Sequence, residues 1–158
     1  MRPVTSILIL LFGLSWACSP RPAETETEKN RKAEERAAIA QFVSTQEGVF
    51  REIEPGIWVD IIRKGDSLHP KLSDIITVTY TTQDLNGFEI DHSDESNPLR
   101  MRLARLIPAW QTALPRIGIG GRMRLITVSD EAYGSRSIHP QLGAWTPLYF
   151  EIGLLKIE

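Results

Sequence analysis

A single cysteine, Cys18, stands among 158 residues. One thiol closes no internal disulfide and supplies no cysteine-based zinc site. His69, His92 and His139 are far apart, with no metal-ligand spacing, so neither a metal nor any other cofactor is expected. An excess of one charge is also lacking: 18 Lys and Arg against 20 Asp and Glu leave a formal net charge of −2. No basic field is present to recruit nucleic acid or an anionic surface. Long apolar runs are scarce. "ILILLFGL", from Ile7 to Leu14, is too short to span a bilayer.

What is present begins with that run. Preceded by Arg2 and followed by small residues, it reads as the core of a signal peptide over residues 1–17. The cysteine that ends it, in "SWACSP", resembles the lipobox of bacterial lipoproteins, where the thiol is diacylated and becomes the mature first residue. Ser15 stands where a lipobox usually has leucine, with Leu14 one place earlier. The resemblance implies lipidation at Cys18 and a lipid-anchored, exported protein. The alternative is an ordinary cleaved signal with an incidental cysteine. Removing residues 1–17 takes away only Arg2, so the mature charge is −2 − 1 = −3.

Residues 18–32 are polar, with prolines near the start, and suit a flexible tether. Residues 33–48 read as a helix stopped near Gly48, with Ala33, Ala37, Ile39, Ala40, Phe42 and Val43 as its apolar positions. That stripe is too short for several heptads, so docking on the following domain is expected rather than a coiled coil. From residue 49 to 158 the period changes to two. "IITVTY" places Ile76, Val78 and Tyr80 on one face, and "LYFEIGLLKI" does the same for Leu148, Phe150, Ile152 and Leu154. "LRMRL" and "RMRLITV" alternate apolar residues with Arg100, Arg102, Arg122 and Arg124, which are expected to face solvent. Asn86-Gly87 marks a turn. Between the strands, "LIPAWQTALP" predicts one brief helix, with Pro108 at its first position and Trp110, Ala113 and Leu114 on one side. The fold class is therefore α+β: a twisted antiparallel sheet wrapped around one short helix, with an N-terminal extension helix.

In order, "DIITVTY", Gly87 with Asp91-His92-Ser93, "LIPAWQTAL", "SDEAYG" and "LYFEIGLLKIE" resemble the segments of FKBP-type peptidyl-prolyl isomerases. The lead-in helix and "GIWVDIIRKGD" resemble the extension of exported FKBP lipoproteins from Bacteroidetes-like bacteria. The resemblance implies a shallow apolar pocket floored by Trp110, with Tyr80, Asp91, Leu106, Ile107, Tyr133, Leu142 and Phe150 around it. Catalytic parts fall to Trp110, to the Ile107 N–H and the Tyr133 hydroxyl as donors to substrate carbonyls, and to Asp91 by electrostatics. Ile90 and Leu99 stand where the family has aromatic walls, and Ala109 replaces a glycine. Leu142-Gly143 replaces Ile-Pro, and Trp145 is an added bulky residue. Two lost aromatic walls imply a wider pocket, weaker turnover and weaker macrolide binding. The expectation is a monomeric prolyl isomerase acting on proline-containing polypeptide clients in the envelope, with the domain in the periplasm or at the cell surface. The alternative is a catalytically degenerate binding module tethered there as an assembly factor.

Overall fold

The computed structural model describes residues 24–158, so the expected signal peptide, Cys18 and the first part of the tether lie outside the described residues. Helix α1 (Glu26–Thr45) is followed by strands β1 (Arg51–Glu54), β2 (Ile57–Arg63), β3 (Ile75–Asp84), β4 (Glu89–Ser93) and β5 (Leu99–Arg102). The short helix α2 (Pro108–Ala113), β6 (Arg122–Thr127) and β7 (Leu148–Ile157) complete the chain. Every strand pairing is antiparallel, in the order β1-β2-β6-β7-β3-β4, and β5 shares the free edge of β3 with β4.

Alternation sends one set of side chains to the inner face, where Ile57, Val59, Ile76, Val78, Met123, Leu125, Leu148, Phe150, Ile152 and Leu154 form a core with Trp110, Ala113 and Leu114 of the α2 segment. Pro108 occupies the first turn of α2 and is exposed, while Trp110, Ala113 and Leu114, which share the inner side, are buried as their spacing requires. Ala109 is wholly buried in this core rather than at a pocket rim, so the methyl that replaces the family's glycine hydrogen is accommodated by packing.

The opposite face is also covered. Ile126, Val128 and Tyr149 pack with Ile39, Phe42 and Val43 of α1. The helix therefore docks on its own domain, but with boundaries different from those expected. It begins at Glu26 instead of residue 33, and the tether is correspondingly shorter. The cause is a capping box: Glu28 N–H donates to the Thr25 hydroxyl, and Thr25 N–H donates to the Glu28 carboxylate at 2.8 Å. Ala33, Ala37 and Ala40 are exposed, and the docked stripe is Arg31, Glu35, Ile39, Phe42 and Val43, polar at one end and apolar at the other. Arg100, Arg102 and Arg122 are exposed. Arg124 is only half so, lying 3.5 Å from Asp60 and donating to the Glu47 carbonyl at the foot of α1.

Candidate active site

Above Trp110 lies an open hollow of about 400 Å³, lined by Tyr80, Thr82, Ile90, Asp91, Leu99, Leu106, Ile107, Trp110, Tyr133, Ile138 and Phe150. That volume lies in the range of small-ligand sites. The indole is 3% exposed and is one of the lining side chains. Tyr80 meets it edge-on at 5.3 Å between ring centroids, and Phe150 does so at 5.6 Å. These edge-to-face contacts fix three rings around one cavity. Trp110 Nε1 is buried with no hydrogen-bond partner among the described residues. An unmet donor costs about 1–3 kcal/mol, which a plain core position would avoid with Leu or Phe.

Each wall has a local cause. Tyr80 and Thr82 share a face of β3 by parity, and Phe150 sits opposite Thr82 on β7. On β4 the register shifts between Thr82↔Asp91 and Gln83↔Glu89, leaving Ile90 as an extra residue. This bulge lets Ile90 and Asp91, neighbours in sequence, both line the hollow, which strict alternation forbids. The turn before β4 is tied by the buried Asp84 carboxylate, which accepts from Asn86 N–H at 2.9 Å and Phe88 N–H at 2.8 Å. Gly87 supplies the left-handed backbone there, at φ +86°.

The polar groups divide into occupied and free. The Tyr80 hydroxyl donates to Asp91 Oδ2 at 2.5 Å, so Asp91 is held by a phenol rather than by an arginine. Ile107 is the N-cap of α2. Its carbonyl accepts from Trp110 N–H at 3.0 Å and Gln111 N–H at 3.2 Å, while its own N–H has no partner among the described residues. The Tyr133 hydroxyl is likewise unpartnered among the described residues, on a residue that is 37% exposed. Burial, and then the nearby Asp91 charge, raise the Tyr133 pKa above its ordinary value. Burial and the Asp91 hydrogen bond do the same for Tyr80. A raised phenol pKa keeps the proton on oxygen, so both hydroxyls remain donors through neutral and mildly alkaline pH.

All the expected residues gather here except Leu142. Leu142 is not among the residues that line the hollow, whereas Ile138 of the same loop is. Thr82 is the other wall residue that sequence reasoning did not name, although the parity of Tyr80 on β3 pointed to it.

A sheet that grips a short helix leaves a largely apolar hollow over its tryptophan, with one carboxylate, Asp91, in its wall and two free donors among its lining residues. Comparison makes this specific. Residues 67–155, more than half of the chain, match the family model of the FKBP-type peptidyl-prolyl cis-trans isomerases. The chain belongs to this family. It is 30% identical over 141 residues to the outer membrane protein Mip of Legionella longbeachae, across 86% of this chain and 60% of that protein. With FK506-binding protein 1 of Saccharomyces cerevisiae the identity is 30% over 110 residues, covering 67% of this chain and 96% of that one. The crystal structure of FkpA from Escherichia coli superimposes with a TM-score of 0.70 at 27% identity, over 82% of this chain and 60% of that one. The chain thus spans about 60% of the length of Mip and of the FkpA structure.

Proposed function

We propose that the hollow over Trp110 is where this chain isomerises Xaa–Pro bonds, acting on proline-containing segments of exported polypeptides. The observation that supports this best is the pairing of an apolar floor with two unpartnered donors, Ile107 N–H and Tyr133 Oη, at its rim. Amide resonance sets the barrier to rotation, at ~18–20 kcal/mol. The planar amide is charge-separated and well hydrated, whereas the twisted transition state has lost resonance and much of its dipole. A dry cavity therefore favours the twisted form, and this differential binding is what lowers a barrier. Trp110, Phe150 and Leu106 would bury the prolyl ring. Ile107 N–H and Tyr133 Oη would hold the flanking carbonyls, and Asp91, fixed by Tyr80, would supply the field at the wall. A ten-thousandfold gain needs only about 5.5 kcal/mol, so no nucleophile or metal is demanded.

The test is isomerisation of a Leu-Pro peptide in a protease-coupled assay. Acceleration proportional to protein concentration is expected. The aliphatic walls Ile90 and Leu99 favour a second reading, a module that binds chains without turning them over; peptide binding at the uncatalysed rate would decide for it.

The reading extends to location. The Mip relative is named an outer membrane protein, and among the described residues no helix is long and apolar enough to cross a membrane. Anchoring through a lipidated Cys18 fits both facts. The N-terminal turn of α1 lies beside the Tyr133 loop, with Lys32 paired to Glu24 and 3.5 Å from Asp130. Six residue steps separate Cys18 from Glu24. At ~3.5 Å per residue they reach at most about 20 Å, so an anchor would keep the pocket end close to the membrane. Cys18→Ser is expected to move the protein from the membrane fraction to the soluble fraction in high salt. Retention would exclude acylation as the anchor.

A further inference from the structure

Helix α1 lies wholly before the segment matched by the family model, yet its strongest polar contacts converge on the two sides of Tyr133. Before Tyr133 is the turn Ser129–Glu131. There the Glu35 carboxylate, itself 6% exposed, accepts from Ser129 N–H at 2.8 Å and from the Ser129 hydroxyl at 2.7 Å. Arg31 donates to Glu35 at 2.5 Å and to both Asp130 oxygens at 3.1 Å. After Tyr133 is Gly134, whose carbonyl accepts from Trp145 N–H at 2.8 Å. Trp145 is held at φ +60°, a left-handed conformation that a bulky side chain rarely adopts. The Arg31 guanidinium lies 3.9 Å from the centre of its ring. One side chain therefore grips the segment on both sides of the free hydroxyl.

We propose that α1 is part of the catalytic unit and that Arg31 is its positioning residue, fixing the Tyr133 hydroxyl at the pocket rim through Asp130 and Trp145. Arg31 does not line the hollow, so it acts on Tyr133 and not on substrate. This assignment rests on the isomerase reading above. Arg36 is the natural control on the same helix. It docks elsewhere, donating to Glu52 at 2.7 Å and lying 5.1 Å from the Trp58 ring.

The experiment is a double-mutant cycle on the full chain, reading kcat/KM for a Leu-Pro peptide in wild type, Arg31→Met, Tyr133→Phe and the combined variant. Arg31→Met is expected to lower kcat/KM about tenfold in the wild-type background and less than about twofold when Tyr133 is already Phe. Arg36→Met is expected to stay within about twofold of wild type. An equal loss in both backgrounds would mark a merely structural role and overturn the proposal, as would wild-type activity in Arg31→Met. A readout independent of turnover accompanies it. Amide exchange at Trp145 is expected to quicken about tenfold in Arg31→Met while Ile126 and Tyr149 keep their protection; unchanged exchange at Trp145 overturns the proposal even if no form catalyses. No turnover in wild type instead removes the isomerase reading. Should Arg31→Met fail to fold, Trp145→Leu, which leaves Glu35 docked, carries the same test with the same outcomes.

Discussion

Trp110→Leu is expected to cut kcat/KM for a Leu-Pro peptide by ten- to a hundredfold while leaving the chain folded. Burying a prolyl ring in the hollow takes the ring's own apolar surface from water, worth about 1.5–3 kcal/mol, and each 1.4 kcal/mol is a tenfold change in rate. The indole, only 3% exposed, contributes the shape that receives the ring. Leucine keeps the floor apolar but loses the flat face and the edge-on contacts to Tyr80 and Phe150. Truncation to alanine is the poorer experiment, because an aromatic removed from a core costs about 3–5 kcal/mol and would confound activity with unfolding. The Leu variant also removes the unpartnered Nε1 donor, which offsets part of the lost packing. Urea unfolding run beside the kinetics separates the two effects. Wild-type turnover in a well-folded Trp110→Leu protein would contradict the role given to the indole.

Glu35→Ala is expected to lower the unfolding free energy by about 2–4 kcal/mol. Glu35 has three hydrogen bonds, from Ser129 N–H, the Ser129 hydroxyl and Arg31. Removing the carboxylate leaves a buried backbone donor unmet and strips a guanidinium of one of its two acidic partners, and both effects act in the same direction. Arg31 keeps Asp130, which places the expected loss below that of a fully orphaned buried charge. Glu34→Ala, on the exposed side of the same helix, should change stability by no more than about 0.5 kcal/mol. Equal, small effects at both positions would show that α1 does not dock through this carboxylate.

The inner face was legible because its residues alternate cleanly. Ile76, Val78 and Tyr80, or Leu148 through Leu154, needed only parity to be assigned to one side. The outer cluster was written in the same strands but harder to read. "LITV" and "LYF" are apolar at both parities, the mark of a strand covered on both faces; Ile126 and Tyr149 were the clue that something must lie behind the sheet. The beginning of α1 was present as a threonine with a glutamate three residues on, but charged composition obscured it. The short helix and its tryptophan stood out between two prolines. Most of the pocket could be placed by resemblance, yet the choice of Ile138 over Leu142 could not, because a loop has no period to say which side chain turns inward. The bulge at Ile90 was hidden for a similar reason: one extra residue in a strand leaves no compositional trace.

The claim that a prolyl bond twists in the hollow over the Trp110 indole can be tested in a single titration. Cis–trans exchange of a Leu-Pro peptide and the indole N–H resonances are followed together by NMR as peptide is added. The expected result is exchange that quickens in step with a shift of the Trp110 signal, while Trp58, packed under α1 on the other face, stays still. Accelerated exchange with an unmoved Trp110 signal would place the chemistry elsewhere and contradict the account.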